Sequence, residues 1–381
     1  MTFTTAALRR LTAASVTLAV ASWVLLAIRG EFEIGWLSGY EDPLGALFAV
    51  GLAGIAVGWS AQRWGASRMT AVALRVAVGG AATLVTLVTA EFGLRYVFRD
   101  VHSSADGRTL FARRGGPSIR ANALGFRERE VGAKSADRYR IAIVGDSFTW
   151  GQGIEESERF SDVLEASLGP PYEVLNFGIP GNNLPEHVQV LEQALQVSPD
   201  FVLLQLYIND FEVPGMIRPE AHALLPWPTL DSWLLRSSAL YDLLNDGWGQ
   251  LQEATGIVES YARYMERNLR DPGSTNSREA FGLLRRFIER ARAAGVPSGT
   301  VLFPNPGFLD TKYPFAYLHN RVQVICADQH ITCLDLRSSF ATAFRNPQSM
   351  WVSRFDPHPN ARANSRAAQE ILAAFRGIWH R

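Results

Sequence analysis

Arg140-Ile141-Ala142-Ile143-Val144 runs straight into Gly145-Asp146-Ser147-Phe148, and this stretch decides the fold. Four consecutive apolar residues, three of them β-branched, predict a short strand buried on both faces. A strand of that kind belongs to a parallel sheet covered by helices on either side. Gly145 then opens a turn, and Asp146 or Ser147 can cap the helix after it. Ligands of such sheets lie at the carboxyl ends of the strands, where Ser147 falls. Alone, a Gly-Asp-Ser triplet signals only a turn.

Outward from this core the pattern repeats. Strands are predicted over residues 172–176, 201–207, 300–303 and 331–336, and helices over 158–168, 185–196, 278–294, 315–329 and 361–379. This alternation makes residues 139–381 an α/β domain with a parallel sheet. Residues 211–277 interrupt it with a segment rich in Pro, Trp and Tyr and with helices near 232–244 and 249–269. Such an insertion suits a lid, a docking surface on a membrane anchor, or plain extra packing. Residues 99–138, rich in Gly, Arg and Ser, read as a linker or pre-domain segment.

Three further segments bring chemistry to the same edge. Asn176-Phe177-Gly178-Ile179-Pro180-Gly181 follows the second strand, and Tyr207-Ile208-Asn209-Asp210 closes the third. Asp356-Pro357-His358-Pro359-Asn360 precedes the last helix. A serine, two potential oxyanion donors and a histidine beside a carboxylate make up the parts list of acyl transfer. Asn182 and Asn183 either touch substrate or cap the next helix, and Trp150 is a further substrate-lining candidate. Asp146 and Asp210 read as structural acceptors for local backbone N–H groups. His102, His187, His222, His319 and His330 lack partners at ligand spacing, so no metal or other cofactor is expected. Two cysteines exclude a disulfide framework; Cys326 and Cys333 could pair outside the cytoplasm or stay as buried thiols.

These four ordered blocks resemble the SGNH (GDSL-type) hydrolase superfamily over roughly residues 120–375. The resemblance implies a flavodoxin-like three-layer α/β/α sandwich with a parallel sheet, acting on acyl esters. It makes Ser147 the nucleophile, His358 the general base and Asp356 the group orienting it. Ser147 N–H, Gly181 N–H and the Asn209 amide become the oxyanion hole. Asn122-Ala123-Leu124-Gly125-Phe126-Arg127 resembles a segment found upstream of the first block in membrane-anchored bacterial relatives, with a structural role against the sheet expected. Three departures stand out: Phe148 replaces Leu, Tyr207 stands where Gly is common, and the last block is Asp-x-His rather than Asp-x-x-His. The short spacing leaves Asp335 as a remote substitute orienter.

The chain as a whole has 37 basic and 37 acidic side chains among 381 residues, which argues against nucleic acid as a partner. Its mean hydropathy of zero conceals a split. Residues 1–98 carry 12 charged side chains and the remainder carries 62. Uncharged runs over 11–28 and 44–61, and a third over 76–90, predict an anchor of about three transmembrane helices. Arg9 and Arg10 precede the first run, and Arg63, Arg68 and Arg75 lie between the second and third. The positive-inside rule then places the N-terminus in the cytoplasm and residues 99–381 outside it.

The combined expectation is a multi-pass protein of the bacterial inner membrane with an extracytoplasmic serine esterase domain. Its partner would be an ester-bearing substrate, such as an acylated envelope glycan or lipid. O-acetyl transfer onto envelope polysaccharide, with a membrane acyltransferase as partner, is the alternative within enzymes. A catalytically silent glycan- or partner-binding protein is the alternative outside them.

Overall fold

The computed structural model describes residues 13–17, 20, 68–97, 120–218, 222–309, 312–352 and 356–379. The expected spans over 11–28 and 44–61 lie outside these residues except at 13–17 and 20, as does the linker over 99–119. The first described long helix is α1 (Arg68–Val97). Among the described residues it alone is long and apolar enough to cross a membrane, through Ala77–Leu94.

Five strands follow: β1 (Tyr139–Gly145), β2 (Tyr172–Gly178), β3 (Phe201–Leu206), β4 (Ser298–Leu302) and β5 (Thr332–Asp335). All pair in parallel in the order β2-β1-β3-β4-β5, with Ile143 level with Asn176 on one side and Leu203 on the other. The helices after α1 are α2 (Ser147–Trp150), α3 (Phe160–Leu168), α4 (Leu184–Gln196), α5 (Pro228–Ser237), α6 (Ala239–Thr255) and α7 (Tyr261–Leu269). Then come α8 (Thr275–Ala293), α9 (Ala316–Asp328), α10 (Arg337–Ala343) and α11 (Ala361–Phe375).

The strands are apolar on both faces because both faces are covered. Ala142 and Val144 of β1 face a core shared with Leu191 of α4, Leu284 of α8 and Val322 of α9. Ile141 and Ile143, one residue out of step, face Leu164 of α3, Phe340 of α10 and Ile371 of α11. Period-two alternation thus feeds two cores from one strand.

The chain divides into two compact units. One holds residues 1–100, 108–114 and 224–246; the other holds 101–107, 115–223 and 247–381 and contains the whole sheet. The insertion expected as one block over 211–277 is therefore split. Its second half belongs to the core of the sheet-bearing unit, where Tyr264, Met265 and Leu269 of α7 are fully buried. Its middle stretch, residues 224–246, groups with α1. There the Glu91 carboxylate accepts hydrogen bonds from Ala239 N (2.8 Å), Leu240 N (2.8 Å) and the Ser238 hydroxyl (2.9 Å). A buried carboxylate at a helix start satisfies the orphan N–H groups and suits the helix dipole. This distant cap explains why the helix expected over 232–244 breaks at Ser238. The helix expected over 249–269 breaks at Gly256, whose φ of +74° is left-handed and ends α6.

Candidate active site

β1 delivers Ser147 to the first turn of α2, where Asp146 accepts the Phe148 N–H at 2.9 Å and caps the turn. Half-buried Ser147 holds its Oγ 2.9 Å from His358 Nε2. His358 Nδ1 meets Asp356 Oδ1, which also accepts the His358 backbone N–H at 3.0 Å. One carboxylate oxygen thus holds both the ring and the backbone of the residue two positions on. That local turn is how the short Asp-x-His spacing closes. The loop is pinned from the far side: Val352 N–H donates to His358 O at 2.8 Å, and Asn360 Nδ2 donates to Ser349 O and Trp351 O, both at 3.0 Å. Asp335, the remote substitute, is 3.0 Å from His319 Nδ1 and makes no bond to His358 among the described residues.

Two of the sequence departures meet each other. Phe148 stacks on Tyr207 with ring centroids 4.3 Å apart and 29° between planes. The edge of this pair supports His358, whose ring lies 5.3 Å from Phe148 at 64°. Phe303 closes the bed from below at 5.6 Å. Tyr207 has φ −128°, an extended conformation open to any residue, so glycine is not required there. The larger side chain fills space against the larger Phe148.

The other expected site residues lie on the loops leaving β2 and β3. Gly181 is exposed, with φ +79°, in the turn after β2. Asn182 is half-buried beside it. Asn183 caps α4, its N–H bonded to the Glu186 carboxylate at 3.1 Å. With its amide nitrogen turned toward them, Asn183 also donates to Asn209 O and Asn182 O, both at 3.2 Å. Capping, not free presentation to substrate, is its observed role. Asn209 sits in the single turn Ile208–Phe211 after β3 with its Oδ1 buried. Its amide nitrogen is tied by no hydrogen bond among the described residues. Trp150 ends α2 with its ring 4.8 Å under the Arg127 guanidinium, so one face of it serves packing rather than substrate.

Arg127 is fully buried and donates to Gly151 O at 2.7 Å and Ile154 O at 2.8 Å, clamping the chain after α2. Asn122 Oδ1 accepts Leu124 N–H (3.0 Å) and Phe126 N–H (3.1 Å), folding the segment that aims it. The structural role expected for this segment is the one observed. Gly178 abuts the same turn: a Cβ there would collide with the Trp150 backbone nitrogen.

The interior behind the serine carries groups that sequence reasoning missed as a cluster. His187 Nε2 lies 3.1 Å from Asp210 Oδ1, and Asp210 Oδ2 accepts the Tyr207 N–H at 2.6 Å. Asp146 lies within their field. Burial, then the neighbouring Asp210 charge, pushes the Asp146 carboxyl up to about 7. Burial also raises Asp210. Burial opposes the charged form of His187, but the Asp210 carboxylate outweighs it and raises that group too. Gln205 of β3 ties the cluster to α2, its Oε1 accepting Asp146 N–H (3.2 Å) and the Thr149 hydroxyl (2.7 Å). His187 shares the apolar face of α4 with Leu184 and Leu191, which signals burial in the sequence. Nothing local signals its partner 23 residues away. Asp146 and Asp210 do accept local N–H groups, as expected. Among the described residues no group of three or more His, Cys, Asp or Glu side chains could hold a metal ion.

The model of the GDSL-like lipase/acylhydrolase family matches residues 143–366, more than half of the chain. A search of curated protein sequences found no match. Among solved structures, a lipolytic G-D-S-L family protein from Veillonella parvula is 14% identical, covering 62% of this chain and 98% of its own, with a TM-score of 0.38. A carbohydrate acetylesterase family member from Sinorhizobium meliloti is 13% identical, covering 63% and 99%, with a TM-score of 0.37. An acetylxylan esterase from Geobacillus stearothermophilus is 16% identical, covering 65% and 99%, with a TM-score of 0.38. On the family match, which spans every block of the site, the chain belongs to the GDSL-like lipase/acylhydrolase family.

Proposed function

We propose that this chain is a membrane-anchored serine esterase working through an acyl-Ser147 intermediate. The observation that carries the reading is the hydrogen-bonded line from Ser147 Oγ through the His358 ring to Asp356. His358 Nε2 takes the hydroxyl proton as Oγ attacks the ester carbonyl. Asp356 on Nδ1 keeps that nitrogen protonated, so that Nε2 is the free base, and then stabilises the imidazolium. The negative oxygen of the tetrahedral intermediate is held by Ser147 N–H, Gly181 N–H and the Asn209 amide. Collapse expels the alcohol, which receives the proton from His358; water then attacks the acyl-serine by the same base and regenerates the hydroxyl.

The anchor is α1. Within it Thr83, Thr86 and Thr89 bond the carbonyls of Gly79 (2.9 Å), Ala82 (2.9 Å) and Val85 (2.7 Å), so their hydroxyls need no water. The arginine distribution supports an extracytoplasmic esterase facing acylated envelope glycans or lipids. Ser147→Ala should abolish both hydrolysis of a short-chain aryl ester and labelling by a fluorophosphonate probe. Full hydrolysis by that variant, with an unlabelled wild type, would refute the mechanism. A topology reporter fused after residue 98 that is active only in the cytoplasm would refute the placement.

A further inference from the structure

In the unit containing α1, several carboxylates are buried while several large apolar side chains are exposed. On α5, Asp231 is 7% exposed and accepts the Tyr241 hydroxyl, while Trp227, capping the helix start, and Leu230 and Trp233 within it are 61%, 41% and 48% exposed. The three exposed side chains are spaced three residues apart, forming a stripe along one side of a short helix. A helix facing water has the reverse arrangement, with the acid outside and the tryptophans in the core. The same inversion continues on the neighbouring helices of this unit. Glu91 of α1 is buried under Ser238, Ala239 and Leu240, whereas Leu87 on α1 and Leu244 on α6 are half exposed.

Position completes the case. Glu91 lies within one turn of Leu94, the end of the apolar stretch, of which only 6% is buried. Its bonds to Ser238, Ala239 and Leu240 hold the C-terminal end of α5 at that level. At the end of a membrane span, the surroundings are head groups and upper acyl chains. Tryptophan favours that zone because its ring is apolar and its N–H is a donor.

We infer that α5 is an interfacial helix whose Trp227, Leu230 and Trp233 stripe is seated in the phospholipid bilayer beside the end of α1. The inference rests on the reading of α1 as a membrane span. It goes beyond anchoring, because it assigns part of an insertion in the hydrolase sequence to lipid contact. Such a helix lies in the plane of the membrane and sinks its apolar side about 5–10 Å into the boundary.

Site-specific photocrosslinking of the full chain in phospholipid nanodiscs tests this. p-Benzoylphenylalanine replaces Trp227, Leu230 or Trp233 in separate variants. A control variant carries it at Val324, 58% exposed on α9 of the sheet-bearing unit. Retained ester hydrolysis reports that each variant is folded. Irradiation should give phospholipid adducts at the three α5 positions about tenfold above Val324, as an interfacial helix requires. Crosslinks to a second copy or another protein, or no lipid adduct in a chain that resists alkaline carbonate extraction, would overturn the inference and leave anchoring intact. Extraction of the chain by carbonate would overturn both.

Discussion

Two histidine–aspartate pairs near the reacting serine have opposite fates. In the His358–Asp356 pair the side chains are 21% and 9% exposed, and the far ring nitrogen meets a hydroxyl. In the His187–Asp210 pair both side chains are fully buried, and His187 Nδ1 meets no hydrogen-bond partner among the described residues. The first pair can pass a proton because a nucleophile and an open approach lie beyond it. The second links α4 to the turn carrying Asn209, since Asp210 also takes the Tyr207 N–H. In a third pair, His319–Asp335, the far ring nitrogen meets the Tyr313 hydroxyl at 3.1 Å instead of a serine. What distinguishes a base from a brace is the third partner, not the pair.

That contrast sets the order of expected effects. Ser147→Ala or His358→Ala should lower turnover by about 10⁴-fold or more, read as ester hydrolysis by the purified chain. Asp356→Asn should lose about 10³–10⁴-fold, because an amide no longer enforces the working tautomer. Asp335→Asn, tested in the same assay, should stay within about tenfold; an equal loss would make the two pairs functionally alike. Asn209→Ala should lower kcat by about 10²–10³ with binding little altered, the pattern of a lost oxyanion donor.

His187→Ala should act on stability instead. Removing one partner leaves Asp210 buried and uncompensated, a loss of about 3–5 kcal/mol in denaturant unfolding. Turnover per folded molecule should change by less than about tenfold, and a larger drop would make this pair catalytic. A further effect is in pH dependence. Asp146 ionises near its ordinary 3.8 in the unfolded chain but is pushed up to about 7 when folded. Between those values the folded state keeps a proton that the unfolded state has released. Its contribution is therefore complete below the lower value and is lost as pH rises through the upper. Asp146→Asn retains an acceptor for Phe148 N–H and should flatten that decline. An unchanged slope in urea unfolding across the window would show that Asp146 does not titrate there.

Much of this was legible residue by residue. The apolar run before Gly145 announced β1, and the order of the four blocks announced where Ser147, Gly181, Asn209 and His358 would fall. Strand ends moved by one or two residues: Gly145 pairs because β2 continues to Gly178, and Tyr139 joins β1 opposite Tyr172. Less legible were the breaks in the insertion. Residues 232–244 have helical character throughout, and Ser238 interrupts them because Glu91, 147 positions earlier, supplies the cap. The matched departures Phe148 and Tyr207 read as separate anomalies until their stacking joined them.

By itself the sequence determined the α/β class, the two-sided burial of the strands and the place of a serine, an asparagine and a histidine at strand ends and on the final loop. These follow from local rules: side-chain period, turn chemistry and residue type at strand ends. Only the tertiary structure decided that Asp356 rather than Asp335 bonds His358, that His187 is closed in against Asp210, and that residues 224–246 of the insertion group with α1. Each depends on which distant group fills a buried hydrogen bond, and a buried polar group left unpaired costs about 1–3 kcal/mol wherever its partner lies in the chain.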